Sequence, residues 1–147
     1  MKQRILVTGA AGYLGRGLVP QLAEAYELRL MDVAGFDARG HQQVVGDVAD
    51  LATVRAAVKG VDAIVIAHMA SRQTGAYDTP VAPFDANVKG TANLFFAAVE
   101  AGIVRVVLVS SGGVTYGHTD RTWFAHDVPP KARELYGLTK VCQEVIA

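Results

Sequence analysis

The run Ile5-Leu6-Val7-Thr8-Gly9-Ala10-Ala11-Gly12-Tyr13-Leu14-Gly15 decides how this chain is read. Ile5 to Thr8 is a short apolar stretch cut off by glycine, the pattern of a buried strand. Leu14, Leu18, Leu22 and Ala25 then recur at helical spacing, so a helix follows over Leu14 to Ala25. Glycines at 9, 12 and 15 give the spacing G-x-x-G-x-x-G between the two. Gly9 permits the tight exit from the strand, Gly12 lets backbone approach a pyrophosphate, and Gly15 lets the helix pack closely on the sheet. The helix start then turns its free N–H groups and positive dipole end toward the phosphates. Glycine triplets also occur in ordinary turns. A place between strand and helix, first in the chain, makes this one a dinucleotide signature. Ala11, Tyr13 and Leu14 join the three glycines as candidate cofactor-binding residues.

Outward from this turn the chain alternates strand and helix. Glu27 to Met31 reads as a second strand ending at Asp32, and Gln43 to Val45 as a short third strand stopped by Gly46-Asp47. Val33 to His41 is too short and Gly-rich for more than a turn of helix. Asp50 can cap a helix over Leu51 to Lys59, with Gly60 as its stop. Ala63 to Ala67 is a fourth strand and Val104 to Val109 a fifth. Between them, Ser71 to Pro83 reads as loop, and a long helix runs on to about Ala101 with Gly102 ending it. Ser111 to Val128 reads as loop, and a last helix begins near Lys131 or Ala132, after Pro129-Pro130, and runs to the end of the sequence. The strands are apolar throughout rather than alternating, which means burial on both faces and a parallel sheet under helices. The expected fold is one α/β domain, residues 1–147: a doubly wound parallel sheet of Rossmann type, three layers α/β/α.

Composition narrows the function classes. With 51% hydrophobic and 19% charged residues, the 147-residue chain can bury a real core. Its formal net charge is +0 and its lysines and arginines are scattered, which points away from nucleic acid and membrane surfaces as partners. No apolar run approaches the roughly 18 residues of a membrane span. Cys142 is the single cysteine, so no internal disulfide framework exists and a cytoplasmic location is expected. His41, His68, His118 and His126 show no metal-ligand spacing, and no metal is expected.

Asp32, about 20 residues past the glycines, stands where an acid accepts hydrogen bonds from the adenosine ribose hydroxyls. It would repel the 2′-phosphate of NADP, so NAD is the expected cofactor, although Arg39 is near in sequence.

With five motifs in order, the sequence resembles the extended short-chain dehydrogenase/reductases, the NAD-dependent epimerase/dehydratase family. They are Thr8-Gly9-Ala10-Ala11-Gly12-Tyr13-Leu14-Gly15, Gly46-Asp47-Val48, Ala67-His68-Met69-Ala70, Asn87-Val88-Lys89-Gly90-Thr91 and Tyr136-Gly137-Leu138-Thr139-Lys140. The resemblance implies that Asp47 and Val48 bind the adenine, Asp47 through its exocyclic amine. It implies that Ala67 to Ala70 line the nicotinamide-side ribose and diphosphate, with Ala67, His68 and Ala70 as cofactor contacts. His68 also reads as a packed neutral histidine. Asn87 is a structural or proton-relay residue near the cofactor, or an ordinary polar residue at a helix start. The resemblance further implies a sugar or nucleotide-sugar substrate and a homodimer, built on the helix from about Phe84 to Ala101.

Tyr136 and Lys140 stand four apart on the last helix and share a face. A phenol of pKa about 10 is a poor base at neutral pH, and a nearby ammonium favours its ionised form. Tyr136 could then take a proton from a substrate hydroxyl while hydride passes to nicotinamide. In the family the lysine also holds the nicotinamide ribose. The hydroxyl partner falls on Gly112 when counted back from Tyr116-Gly117 and on Ser111 when counted forward from the fifth strand. Ser111 is favoured as catalytic, with Ser110 and Thr115 behind it; a plain strand-end cap is the bland reading. Gly112-Gly113 replaces the Asp-Glu pair with which the sugar-nucleotide dehydratases remove water, which disfavours dehydration.

The family continues well beyond this helix into further strands and a small substrate domain, so the sequence is expected to be the cofactor-binding part of a longer enzyme. Val128 to Ala147 also resembles the uronate dehydrogenases, which act on free sugar acids. The competing expectation is a non-catalytic NAD-binding or sensing module.

Overall fold

A computed structural model describes residues 2–71, 75–118 and 127–147. The loops read over Ser71 to Pro83 and Ser111 to Val128 lie partly outside that set, as does His126. The strands are β1 (Arg4–Thr8), β2 (Glu27–Asp32), β3 (Gln42–Val45), β4 (Ala63–Ile66) and β5 (Val106–Leu108). They form one parallel sheet in the order β3-β2-β1-β4-β5. From β1 the chain winds outward through β2 and β3, then crosses back to β4 and winds the other way. The carboxyl ends of β1 and β4 therefore flank the switch point, where a sheet of this kind opens a crevice.

Successive residues of a strand face opposite sides, and both sides here are apolar. Ile5 and Val7 pack with Leu28, Leu30 and Val19 under helix α1 (Tyr13–Ala25). Leu6, Met31, Ile64 and Ile66 pack on the other side with Val54 of α2 (Leu51–Ala57) and with Leu94, Ala97 and Ala98 of α4 (Gly90–Glu100). Arg29 is the charged exception inside β2. Its guanidinium donates to the carbonyls of Ala57 (2.5 Å) and Lys59 (2.7 Å), so a cation answers the negative end of α2. Asp50 caps that helix as expected, accepting from the amides of Ala52 and Thr53.

Several element bounds differ from the sequence reading. β5 is confined to Val106–Leu108, and α2 stops at Ala57. The last helix, α5 (Leu135–Ile146), begins four residues later than the earlier of the two expected starts. Residues 131–134 are held back by pairing with the earlier loop: the Lys131 amide donates to Val114 O and the Gly117 amide to Lys131 O.

The long helix is composite. A short α3 (Val81–Pro83) leads into a π-helical turn (Phe84–Lys89) and then α4. The Gly90 amide bonds the carbonyls of Asp85 and Asn87 rather than that of Ala86. Such π-turns frequently mark functional positions, and this one places Asn87 fully buried beneath the crevice.

Leu94 is 0% exposed at the centre of the α4 face. Leu94→Ala is expected to lower unfolding free energy by about 2–5 kcal/mol in urea denaturation.

Candidate active site

At the switch point Gly9 has φ +70, and a Cβ there would lie 2.6 Å from His68 Cα. Only glycine lets the ends of β1 and β4 meet this closely. Gly15 meets a different neighbour from the one expected. Its Cβ would lie 2.3 Å from Gly9 O and 2.6 Å from Ala10 Cα, so it packs on the turn itself rather than on the sheet face. Gly12 is less constrained by the protein, since a Cβ there meets only Gly9 O at 3.1 Å. Helix α1 starts at Tyr13 with no side-chain cap and no acid in its first turn. Its first amides therefore meet no side-chain anion of their own, the electrostatic setting of a phosphate site. Tyr13 is 95% exposed and Leu14 half-exposed on that first turn.

Asp32 ends β2 beside this turn. One carboxylate oxygen accepts from the Ala11 amide at 2.9 Å and the other lies 3.4 Å from the Ala34 amide. The acid thus anchors the glycine turn while standing at the crevice edge. Arg39 sits in the loop beyond, in left-handed backbone at φ 50, against a cavity of about 220 Å³ also lined by Ala11, Arg16 and Asp37.

Asp47 accepts from the Ala49 amide at 2.8 Å, which shapes the loop after β3. Val48 is buried, and its carbonyl accepts from Asn93 Nδ2 at 2.9 Å, tying that loop to α4. Gly90 makes room for it, since a Cβ there would lie 2.4 Å from Val48 Cγ2.

After β4, Ala67 to Ala70 follow the crevice. The Ala70 amide donates to Asn87 Oδ1 at 2.8 Å. His68 is buried between the sheet and the π-turn. Its Nε2 lies 3.0 Å from Ala86 O, the carbonyl not taken by Gly90, so Nε2 carries the proton and donates. Nδ1 is then the acceptor for Thr8 Oγ1 at 2.8 Å. Burial pushes the His68 pKa down to about 4. Both ring nitrogens serve the protein, as in a packed neutral histidine.

The turn after β5 gathers the remaining candidates. Ser111 precedes a 3₁₀ turn (Gly112–Val114) and accepts from the Gly113 amide at 3.1 Å. A Cβ on Gly113 would lie 3.4 Å from Ser111 Oγ and 3.4 Å from Tyr136 Cε1. Glycine at 113 therefore leaves open the space between the serine hydroxyl and the phenol ring. Ser110 instead bonds Glu144, and Thr115 is buried with its hydroxyl on Gly112 O. Helix α5 comes close because Gly137 allows it: a Cβ there would lie 2.5 Å from Gly113 O. One turn after Tyr136, Lys140 is buried and its Nζ donates to Val109 O at 3.0 Å. Burial lowers its pKa to about 8, against an opposing pull from Glu144.

Sequence reasoning passed over the side chains that join these pieces. Thr139, beside Lys140, donates to Tyr136 O and accepts from Asn87; Gln143 donates to Thr91 Oγ1 at 2.6 Å; Tyr77 packs on Tyr136. Thr91 and Thr139 stood inside quoted motifs, but their partners lie 52 residues away. Nothing local marks Tyr77.

The fold and the glycine crevice define a nucleotide-binding α/β protein with a Tyr–Lys helix beside the crevice. The chain belongs to the NAD dependent epimerase/dehydratase family, whose model matches residues 5–147. It is 32% identical to the NAD-dependent glucose-6-phosphate dehydrogenase of Haloferax volcanii, over 99% of this chain and 62% of that protein. Among solved structures, uronate dehydrogenase from Agrobacterium tumefaciens superposes with a TM-score of 0.86 at 37% identity, over 99% of this chain and 55% of that one. A short-chain dehydrogenase/reductase superfamily protein from the same organism, with bound NAD, gives a TM-score of 0.85 at 32% identity, over 98% and 44%. The chain thus spans roughly half the length of the relatives it matches.

The buried His68 carries a pH consequence. Its folded pKa of about 4 lies below the ordinary value of 6.5. Above pH 6.5 the ring is neutral in both states and costs nothing. As pH falls toward 4 the unfolded chain takes a proton that the folded one refuses, so stability drops by on the order of 3 kcal/mol. Urea midpoints at pH 7 and pH 4.5 should show this loss in the parent and a smaller one in His68→Gln; equal losses in the two proteins would contradict the assignment.

Proposed function

We propose that this chain is the cofactor-binding and proton-transferring part of an NAD-dependent sugar oxidoreductase. The observation that carries the reading is the meeting of Ser111 and Tyr136 at Gly113, with Lys140 one helical turn on and tied to Val109 O just before that turn. The cofactor is NAD. A glycine cradle that added Cβ atoms would fill, an uncapped helix start and an acid at the end of β2 fit a pyrophosphate and an adenosine ribose. Asp47 and Val48 stand on the adenine side, and Ala67, His68 and Ala70 on the nicotinamide side. When bound, NAD supplies the hydride acceptor.

The protein's part is to hold the substrate hydroxyl and move its proton. Ser111 Oγ donates to the substrate oxygen and fixes its place. Tyr136 Oη takes the hydroxyl proton as the carbon gives up hydride. Lys140 supplies a positive charge one helical turn away, held in register through Val109 O. Its ammonium also reaches the nicotinamide-side ribose. Gly112-Gly113 offers no acid–base pair of its own, which favours oxidation or epimerisation over loss of water.

The substrate is a sugar. Relatives that act on a sugar phosphate and on a uronate support this class, and the likeness to uronate dehydrogenases favours a free sugar or sugar acid over a nucleotide sugar. The assembly is a homodimer. Phe84 and Val99 on the long helix and Leu138 and Val145 on α5 leave apolar side chains exposed there, as a paired-helix interface would.

Tyr136→Phe is expected to lower kcat/KM by about 100-fold or more in a nicotinamide absorbance assay across free sugars and sugar acids. Unchanged turnover in that variant would remove Tyr136 from the chemistry. Accumulating NADH marks a dehydrogenase, and retained cofactor an epimerase. NAD binding without turnover of any sugar by the complete protein would favour a sensing module.

A further inference from the structure

Tyr77 belongs to no motif, yet it reaches the candidate base by two routes. Its ring meets that of Tyr136 edge-on, with centroids 5.8 Å apart and planes at 76°. Its hydroxyl oxygen accepts from Asn87 Nδ2 at 3.1 Å. The orientation of the Asn87 amide is settled by its surroundings. Its oxygen must face the Ala70 amide, a donor, at 2.8 Å. Both Nδ2 hydrogens are then directed at Tyr77 Oη and at Thr139 Oγ1, the latter at 2.9 Å. Thr139 passes its own hydrogen to Tyr136 O at 2.8 Å. One fully buried amide thus steadies Tyr136 twice, by its backbone through Thr139 and by its ring through Tyr77.

Tyr136 is half-buried and opens onto a cavity of about 310 Å³, also lined by Tyr77, Asp78 and Leu135. Thr139 acts on the main chain of Tyr136, while the ring lies between the Gly113 turn and Tyr77. The edge-on contact with Tyr77 closes off part of the cavity. Edge-to-face aromatic pairs carry a geometric preference beyond their buried area.

We propose that Tyr77 is a positioning residue for Tyr136, holding the phenol ring at the mouth of this cavity by a contact that the buried Asn87 amide keeps in place. The proposal rests on the reading of Tyr136 as the proton acceptor. It assigns Tyr77 no chemical step.

The test uses the full chain with ring-labelled tyrosine, its Tyr136 signals assigned by their loss in Tyr136→Phe. Tyr77→Leu should shift the Tyr136 ring signals and speed ring flipping, and Tyr77→Phe, which keeps the ring, should restore most of the parent pattern. In turnover assays Tyr77→Leu should lower kcat about tenfold with KM for NAD within about twofold, and Tyr77→Phe should recover most of the loss. Unchanged Tyr136 signals in Tyr77→Leu would overturn the proposal, as would an unchanged kcat. If the complete protein turns over no sugar, the functional reading fails alone, and the ring signals still decide the role of Tyr77.

Discussion

The structure depends on one close approach, that of the Gly9 backbone to the backbone of His68. A side chain at position 9 would collide with it. Because no side chain is there, β1 and β4 end side by side at the switch point and the glycine turn folds over their ends. His68 then stands under that turn, linked to β1 through Thr8 and to the long helix through Ala86. The diverted carbonyl of the π-turn lets the helix receive this bond, and the same turn buries Asn87. From Asn87 the connections reach the loop after β4 and the helix that bears Tyr136 and Lys140. The cofactor crevice and the Tyr–Lys helix are two ends of one hydrogen-bonded frame.

Lys140 shows how such a frame tunes chemistry. A lysine taken out of water loses proton affinity, and here burial outweighs the nearby carboxylate of Glu144. The cost of burial is tolerated because Val109 O accepts from the ammonium. The cation is thereby fixed in direction, which an exposed lysine would not be.

The parts legible in the sequence are those governed by local rules. Gly9 and Gly15, the apolar run of β1, the Asp50 cap and the Tyr136–Lys140 spacing each answer to a constraint within a few residues. The π-turn could not be read, because no residue type within Phe84–Lys89 marks where a turn takes one extra residue. The start of α5 was displaced because Lys131 pairs with Val114 and Gly117, a contact that no local signal near Pro129-Pro130 announces. Counting from β5 already favoured Ser111 over Ser110 and Thr115, and the geometry differs in the same direction: Glu144 and Gly112 O hold the other two hydroxyls, while Ser111 Oγ and the Tyr136 ring flank Gly113.

Gly12 offers the most direct test of the central claim. The fold constrains this position less than Gly9 or Gly15: an added Cβ would meet one protein atom, Gly9 O, at a tight 3.1 Å, and φ is an ordinary −73. On the proposed reading, the glycine there serves the ligand more than the protein. Titration of NAD into the parent chain and into Gly12→Ala, followed by calorimetry alongside thermal melts, separates the two roles. The account predicts saturable binding to the parent and at least about tenfold weaker binding to Gly12→Ala, with little change in melting. Equal NAD affinity in the two proteins, or none in the parent, would contradict it.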